Sequence, residues 1–161
     1  MRLPFTISSL PLGAGHIGIC PMPGRSGTYA QDLATLLHWA PELVVTLTPS
    51  AELAIGGAAS LPEDLAGQGI CWVHLPVADF DVPDTETADL WPDTRARVRA
   101  VLDRGGRVLV HCMGGCGRSG MAILRLMVES GEDPPAALAR LRAVRPCAVE
   151  TELQHRWATG A

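Results

Sequence analysis

A cysteine and an arginine separated by five residues are the strongest chemical signal in this chain. Residues 111–119 read HCMGGCGRS, so Cys112 and Arg118 stand at the two ends of a glycine-rich turn. Five intervening residues let the backbone wrap once around an anion of phosphate size, and glycines allow the close approach that this requires. Arg118 could bind two oxygens of the anion through its planar guanidinium. We therefore predict an oxyanion site, whose lining is Met113, Gly114, Gly115, Cys116, Gly117 and Arg118.

The same site would activate Cys112 as a nucleophile. Backbone amides, a helix N-terminus and Arg118 together favour the thiolate at neutral pH. Ser119 could hydrogen-bond the sulfur and later help it to leave, and His111 is expected to orient the turn by hydrogen bonds. The alternative is a buried structural cysteine in an ordinary strand-to-helix turn. An apolar strand before the turn and a helical segment after it favour catalysis or anion binding.

A leaving alkoxide or phenolate also needs a proton, so the mechanism requires a carboxylic acid. Asp93 lies in Trp-Pro-Asp, and 18 residues separate it from Cys112. Those residues are predicted to form a helix, a turn and a strand, so Asp93 should lie at the opposite side of the sheet and is disfavoured as the acid. Proline followed by aspartate is also typical of a helix start. Asp79 directly follows an apolar strand and should share the strand-end face of Cys112. Asp81 is the alternative acid, and Asp84 fits a helix N-cap better.

The elements that must position these residues alternate along the chain. Apolar segments predict strands at 16–20, 42–47, 70–77 and 107–111. Helical patterns cover 29–39, 50–56, 61–67, a stretch ending at 105–106, and then 118–129, 134–144 and 150–158. This order predicts one α/β domain over residues 1–161, with a central, mainly parallel sheet of four to five strands flanked by helices. Ligands bind such sheets at the carboxyl ends of the strands, where the turn at 112–119 begins.

Composition excludes several other classes of function. The chain has 161 residues, a formal charge of −4 and 4% aromatic residues, which disfavours nucleic-acid binding. No apolar stretch is long enough to span a membrane. Five scattered cysteines suit a reducing cytoplasm better than a disulfide framework, and they have no metal-ligand spacing with the histidines. We expect Cys116 to be an apolar filler or, alternatively, to form a reversible disulfide with Cys112.

The segment HCMGGCGRS resembles the signature loop of the cysteine-dependent protein tyrosine phosphatases. It is most similar to the dual-specificity branch, and within it to the kinase-associated phosphatase subgroup and its bacterial relatives. HIGICPMPG before the loop, HLPVADFDVPD in the middle and VRPCAVETELQ after it extend the resemblance over most of residues 15–158.

The resemblance implies a phosphocysteine intermediate on Cys112 that water hydrolyses, without metal or cofactor. Asp79 matches the acid of that subgroup, and Gln154 matches a glutamine that orients the water, although it could equally be an exposed helix residue. The implied substrate is protein phosphotyrosine, with phosphoserine and phosphothreonine as further substrates and a small phosphorylated metabolite as another candidate. A rhodanese-like sulfurtransferase and a non-catalytic phosphate-binding module are the alternative functions. We expect no membrane or nucleic-acid partner.

Overall fold

Five strands form one sheet in a computed structural model that describes residues 4–25 and 27–160. The strands are β1 (Ser8–Leu12), β2 (Gly15–Cys20), β3 (Leu43–Thr46), β4 (Cys71–His74) and β5 (Arg107–His111). Their spatial order is β1-β2-β5-β3-β4, and every pair is parallel except β1 with β2. The prediction of a mainly parallel α/β sheet is confirmed.

Helices connect the strands and finish the described chain. They are α1 (Tyr29–Trp39), α2 (Ser50–Ile55), α3 (Leu61–Gly67), α4 (Thr85–Ala88), α5 (Trp91–Asp103), α6 (Gly117–Glu129), α7 (Pro134–Val144) and α8 (Glu152–Thr159). The predicted strand 70–77 ends as a strand at His74, although the amides of Leu75 and Val77 still donate to the carbonyls of Thr46 and Leu47 at the end of β3. Within the described part of the chain, no helix is both long and apolar enough to cross a bilayer.

Side chains that alternate in direction along β5 enter two hydrophobic cores, one on each face of the sheet. Val108 and Val110 are fully buried in the larger core with side chains of α5 to α8. Leu109 points to the opposite face and is fully buried in a smaller core with side chains of α1 to α3. A central strand covered on both faces is apolar on both of them, which explains the consecutive apolar residues VLV at 108–110.

The edge strand β1 was not predicted, because it contains Pro11. A proline has no amide to donate, so it is tolerated on an edge strand and excluded from a central one. β1 and β2 form a hairpin in which Leu12 pairs with Gly15, and Gly13 in the turn has a φ of 59°. The carbonyl of Pro11 accepts a hydrogen bond from Arg140 of α7 at 2.9 Å, which fixes the edge.

The parallel register brings four strand ends to one edge of the sheet. Cys20 of β2 and Thr46 of β3 both align with His111 of β5, and Thr46 aligns with His74 of β4. Because parallel strands end at the same edge, the segments that follow β2, β3, β4 and β5 emerge side by side. The turn that begins at Cys112 is therefore surrounded by three other loops.

Candidate active site

The turn between β5 and α6 places the predicted nucleophile and its serine together. Cys112 is buried, with 2% of its surface exposed, and Ser119 is fully buried in the first turn of α6. The sulfur of Cys112 lies 3.2 Å from the hydroxyl oxygen of Ser119. The start of α6 provides the helix N-terminus at which an anion is stabilised.

Close packing against the segment after β2 fixes the shape of the turn. The amide of Met22 donates to the carbonyl of Met113 at 3.0 Å. Gly115 has a φ of 70°, and a Cβ added there would lie 2.5 Å from the carbonyl carbon of Cys20. Any side chain would collide with that backbone, so both the conformation and the space require glycine at position 115.

Arg118 is held in place by a carboxylate that the sequence did not point to. Only 2% of its side chain is exposed, and its Nη1 and Nη2 lie 2.8 Å and 3.0 Å from the two oxygens of Glu52. Nη1 also donates to the carbonyl of Val77 at 2.9 Å. Burial acts to lower the pKa of Arg118, but the hydrogen bonds to Glu52 and the charges of Glu52, Cys112 and Asp79 raise it overall. The guanidinium is therefore a fixed positive charge, oriented by α2.

Asp79 lies at the rim of the same site. Its Oδ1 is 3.3 Å from Nη2 of Arg118, and 54% of its side chain is exposed. The amide of Phe80 donates to that oxygen at 3.0 Å, in a turn where Phe80 has a φ of 62°. The structure thus places the first-choice acid beside Arg118. The carboxylate of Asp81 instead accepts from the amide of Val82 at 2.8 Å.

The other two acidic candidates lie in helix starts. Asp84 caps α4, where its carboxylate accepts from the amide of Thr87 at 2.8 Å. Asp93 is in the first turn of α5. Trp91, two residues before Asp93, bonds to Glu129, which is the last residue of α6. Residues 112–118, which we call the anion turn, lie at the start of that helix. The 13 residues of α6 separate these ends by roughly 18 Å.

Gln154 is fully buried beside the turn, so the alternative that it is an exposed helix residue is wrong. Its Oε1 accepts from the amides of Glu150 and Thr151 at 2.9 Å and 3.2 Å, which completes a capping box at the start of α8. Its Nε2 donates to the carbonyl of Asp81 at 3.2 Å. A Cβ added to Gly117 would lie 2.9 Å from Oε1. Gln154 therefore links α8, the acid segment and the anion turn, and its orientation of water stays a prediction.

His111 connects the turn to the sheet below it. Its Nδ1 lies 3.2 Å from the carbonyl oxygen of Cys112, and its Nε2 lies 2.7 Å from the hydroxyl of Thr46. Burial is the main cause that lowers the pKa of His111 to about 4. The ring is therefore neutral at pH 7, with Nδ1 donating to the carbonyl and Nε2 accepting from the Thr46 hydroxyl, which itself accepts from Trp72 at 2.8 Å.

Both expectations for Cys116 are wrong, because Cys116 forms a disulfide with Cys147. The two Cα atoms are 5.1 Å apart although 31 residues separate them in the sequence. The segment after α7 folds back onto the turn, where the amide of Val149 donates to the carbonyl of Cys116 at 3.2 Å. Arg145 donates to the carbonyls of Gly114 and Gly115 at 3.0 Å and 2.8 Å. The chain thus carries one disulfide together with the free cysteines 20, 71 and 112.

Comparisons with known proteins agree with this geometry. A family model described as "Polymorphic toxin system, DSP-PTPase phosphatase" matches residues 18–132. Cyclin-dependent kinase inhibitor 3 of Mus musculus is 27% identical over 167 residues, which cover 97% of this chain and 78% of the relative.

Solved structures give the same assignment. Tk-PTP in its active form is 28% identical, with a TM-score of 0.73 and 89% coverage of both chains. Kinase associated phosphatase, with serine in place of its catalytic-site cysteine, has a TM-score of 0.85, covers 98% of this chain and 94% of its own, and shares the fold at 22% identity. These findings confirm the resemblance and make the protein a cysteine-dependent protein phosphatase. The chain belongs to the DSP-PTPase phosphatase family of polymorphic toxin systems.

Proposed function

We propose that this chain hydrolyses phosphoprotein monoesters through a phosphocysteine on Cys112, with Arg118 as the phosphate ligand and Asp79 as the acid. The observation that carries the proposal is the arrangement around Arg118. Its buried guanidinium closes the turn that begins at Cys112, and the same guanidinium contacts Asp79 at 3.3 Å. Cys112, Arg118 and Asp79, the proposed nucleophile, phosphate ligand and acid, therefore lie at one edge of the sheet.

The first step transfers the phosphoryl group to sulfur. The amides of residues 113–117 and Arg118 bind the phosphate oxygens, and the thiolate of Cys112 attacks phosphorus while the ester P–O bond breaks. Asp79 gives its proton to the departing oxygen. Phosphate oxygens compete with Asp79 for Nη2 of Arg118, so substrate binding would release the carboxyl group toward the leaving group.

The second step returns the enzyme to its starting state. Water attacks the phosphorus, the P–S bond breaks, and Asp79 accepts the proton that the water loses. The sulfur of Cys112 leaves as a thiolate, which the Ser119 hydroxyl at 3.2 Å stabilises by a hydrogen bond. Inorganic phosphate is the product, and the chain supplies every group that moves a proton.

The test compares the two competing acids on two classes of substrate. Asp79→Asn should lower kcat on phosphopeptides by about 10²- to 10⁴-fold, and by less on an aryl phosphate whose leaving group needs no proton. Asp93→Asn is the matched control and should match wild type, because Asp93 lies near the far end of α6. Cys112→Ser should abolish turnover. Full activity in Asp79→Asn, or no wild-type turnover with Cys112 titrated as a free thiol, would refute the proposal.

Substrate range and compartment are the finer parts of the proposal. Protein phosphotyrosine is the proposed main substrate, with phosphoserine and phosphothreonine as further ones, and a phosphopeptide panel tests this order. The free thiol of Cys112 supports a reducing compartment such as the cytoplasm. The Cys116–Cys147 bond argues against it, since disulfides are rare in reducing compartments. Thiol trapping in intact cells would decide between them.

A further inference from the structure

The positive charges around the anion turn are not evenly balanced by acids. Arg118 faces two carboxylates, Glu52 and Asp79, at 2.8 Å and 3.3 Å. Arg25 is exposed, and within residues 4–25 and 27–160 no group accepts a hydrogen bond or forms an ion pair with its guanidinium. A Cβ added to Gly114 would lie 3.1 Å from Nη1 of Arg25 and 3.8 Å from its Cζ. Among the described residues, Arg25 is thus an unpaired cation that lies directly against the anion turn.

The backbone that carries Arg25 is tied down on several sides. The amide of Gly24 donates to Oδ2 of the buried Asp32 at 2.9 Å, and the amide of Arg25 donates to the carbonyl of Met22 at 3.2 Å. Met22 is fully buried and is bonded in turn to Met113 of the anion turn at 3.0 Å. These hydrogen bonds fix the backbone position from which the exposed side chain of Arg25 extends.

A second guanidinium adds positive charge on the same side of the turn. Arg145 donates to the carbonyls of Gly114 and Gly115, and among the described residues no carboxylate pairs with it. Two further carboxylates lie near the turn, since Asp32 accepts from the amide of Gly24 and Oε1 of Glu150 lies against Gly117. Among the described residues neither of them forms an ion pair with Arg25 or Arg145, so two guanidinium groups face Gly114 unpaired, whereas the charge of Arg118 is offset. These charges would stabilise an additional anion on the Gly114 side of the phosphate site.

We propose that Arg25 forms a second anion subsite, which binds a carboxylate or a second phosphate on a residue flanking the phosphorylated one. The proposal rests on the proposed function and adds a preference for acidic phosphopeptides. Adjacent residues of an extended peptide are about 3.4 Å apart, so a side chain one or two positions away can reach Arg25. The chain as a whole has a charge of −4, so attraction of such a peptide must be local.

The experiment measures a ratio of kcat/KM for peptides that differ in one flanking residue. Phosphotyrosine peptides carry Asp, phosphoserine, Asn or Lys at each of the two positions on either side. Wild type should favour the Asp and phosphoserine peptides over the Asn peptide by about 3- to 10-fold at low salt. The preference should largely vanish at 0.5 M NaCl, about where screening removes exposed ion pairs.

Variants that change the charge of Arg25 distinguish its recognition of the peptide from a structural role in the anion turn. Arg25→Gln should reduce the acidic-over-neutral ratio to about 1, and Arg25→Glu should invert it in favour of the Lys peptide. A purely structural role would change all peptides equally. Arg97→Gln is the matched control, since Arg97 is an exposed arginine of α5, which packs on the opposite face of the sheet. This variant should keep the wild-type ratio.

Binding to Cys112→Ser, measured by calorimetry with the same peptides, separates failure of this inference from failure of the proposed function. An acidic preference that Arg25→Gln removes in this background supports the subsite even if wild type shows no turnover. Turnover with equal rates on acidic and neutral peptides overturns the subsite and leaves the phosphatase intact. A wild-type preference that survives Arg25→Gln overturns it as well.

Discussion

Breaking the disulfide between Cys116 and Cys147 should lower the free energy of unfolding, because the unfolded chain gains conformational entropy. The bond closes a loop over a sequence separation of 31. Chain entropy for that length gives about 3.7 kcal/mol at 25 °C as the upper limit of the stabilisation. The segment remains attached without the bond, because Arg145 and Val149 still bond to the turn. We therefore expect the folded state to persist with a lower free energy of unfolding.

Equilibrium guanidinium denaturation measures this effect. Oxidised wild type should lose about 2 to 3.7 kcal/mol of unfolding free energy on addition of a reductant. Cys147→Ser should have the stability of reduced wild type and should not respond to the reductant. Cys71→Ser is the control, because Cys71 is an exposed free thiol whose replacement should change little. Thiol titration of denatured, oxidised protein should find the three free cysteines 20, 71 and 112.

Three results would refute this reasoning. One is a denaturation midpoint that does not differ between oxidised and reduced wild type, which would mean that the loop closure contributes nothing. Another is a reductant-sensitive midpoint in Cys147→Ser, which would assign the redox effect to another pair of cysteines. Titration of five thiols in the oxidised protein would show that the bond does not form.

Three further predictions concern residues around the turn. Gly115→Ala should lower the free energy of unfolding by about 3 kcal/mol or more, and Gly69→Ala by about 1 kcal/mol. Both glycines have a positive φ, but only a Cβ at position 115 would meet backbone, at 2.5 Å. Equal losses of unfolding free energy in denaturation would contradict this. Glu52→Gln should lower the unfolding free energy by about 1.5 to 3 kcal/mol and raise KM, since Arg118 loses a charged partner at 2.8 Å; an unchanged KM in steady-state kinetics would oppose it. The pKa of His111 is lowered from 6.5 to about 4, so the unfolded chain takes up its proton first and stability falls between pH 6.5 and 4 by about 3 kcal/mol. His111→Asn should lack this loss, and parallel stability curves for the two proteins would refute it.

Local patterns in the sequence were sufficient for most elements and for the anion turn. The strand RVLVH, the glycine-rich turn and α6 follow one another directly, so neighbouring residues determine their geometry. Asp79 was expected on the strand-end face of Cys112 because parallel strands end at one edge, and in the structure it lies beside Arg118. The mainly parallel sheet followed from the alternation of strands and helices.

Contacts between distant residues were beyond the reach of such patterns. Glu52 precedes Arg118 by 66 residues, and nothing near it in the sequence marks it as a partner. Cys147 pairs with Cys116 only because the segment after α7 turns back onto α6. Gln154 has an ordinary helical neighbourhood, yet it is fully buried between three segments. In each case the partner is chosen by tertiary packing.

The hydrogen bonds from Trp72 to Cys112 have a spectroscopic consequence. Trp72 donates to Thr46 at 2.8 Å, Thr46 contacts the His111 ring at 2.7 Å, and that ring contacts the carbonyl of Cys112 at 3.2 Å. The indole also stacks on His74 with 5.0 Å between ring centroids. Trp72 is thus a fluorophore linked to the catalytic turn, and once the other three tryptophans of the chain are replaced its emission can report changes there without an added dye.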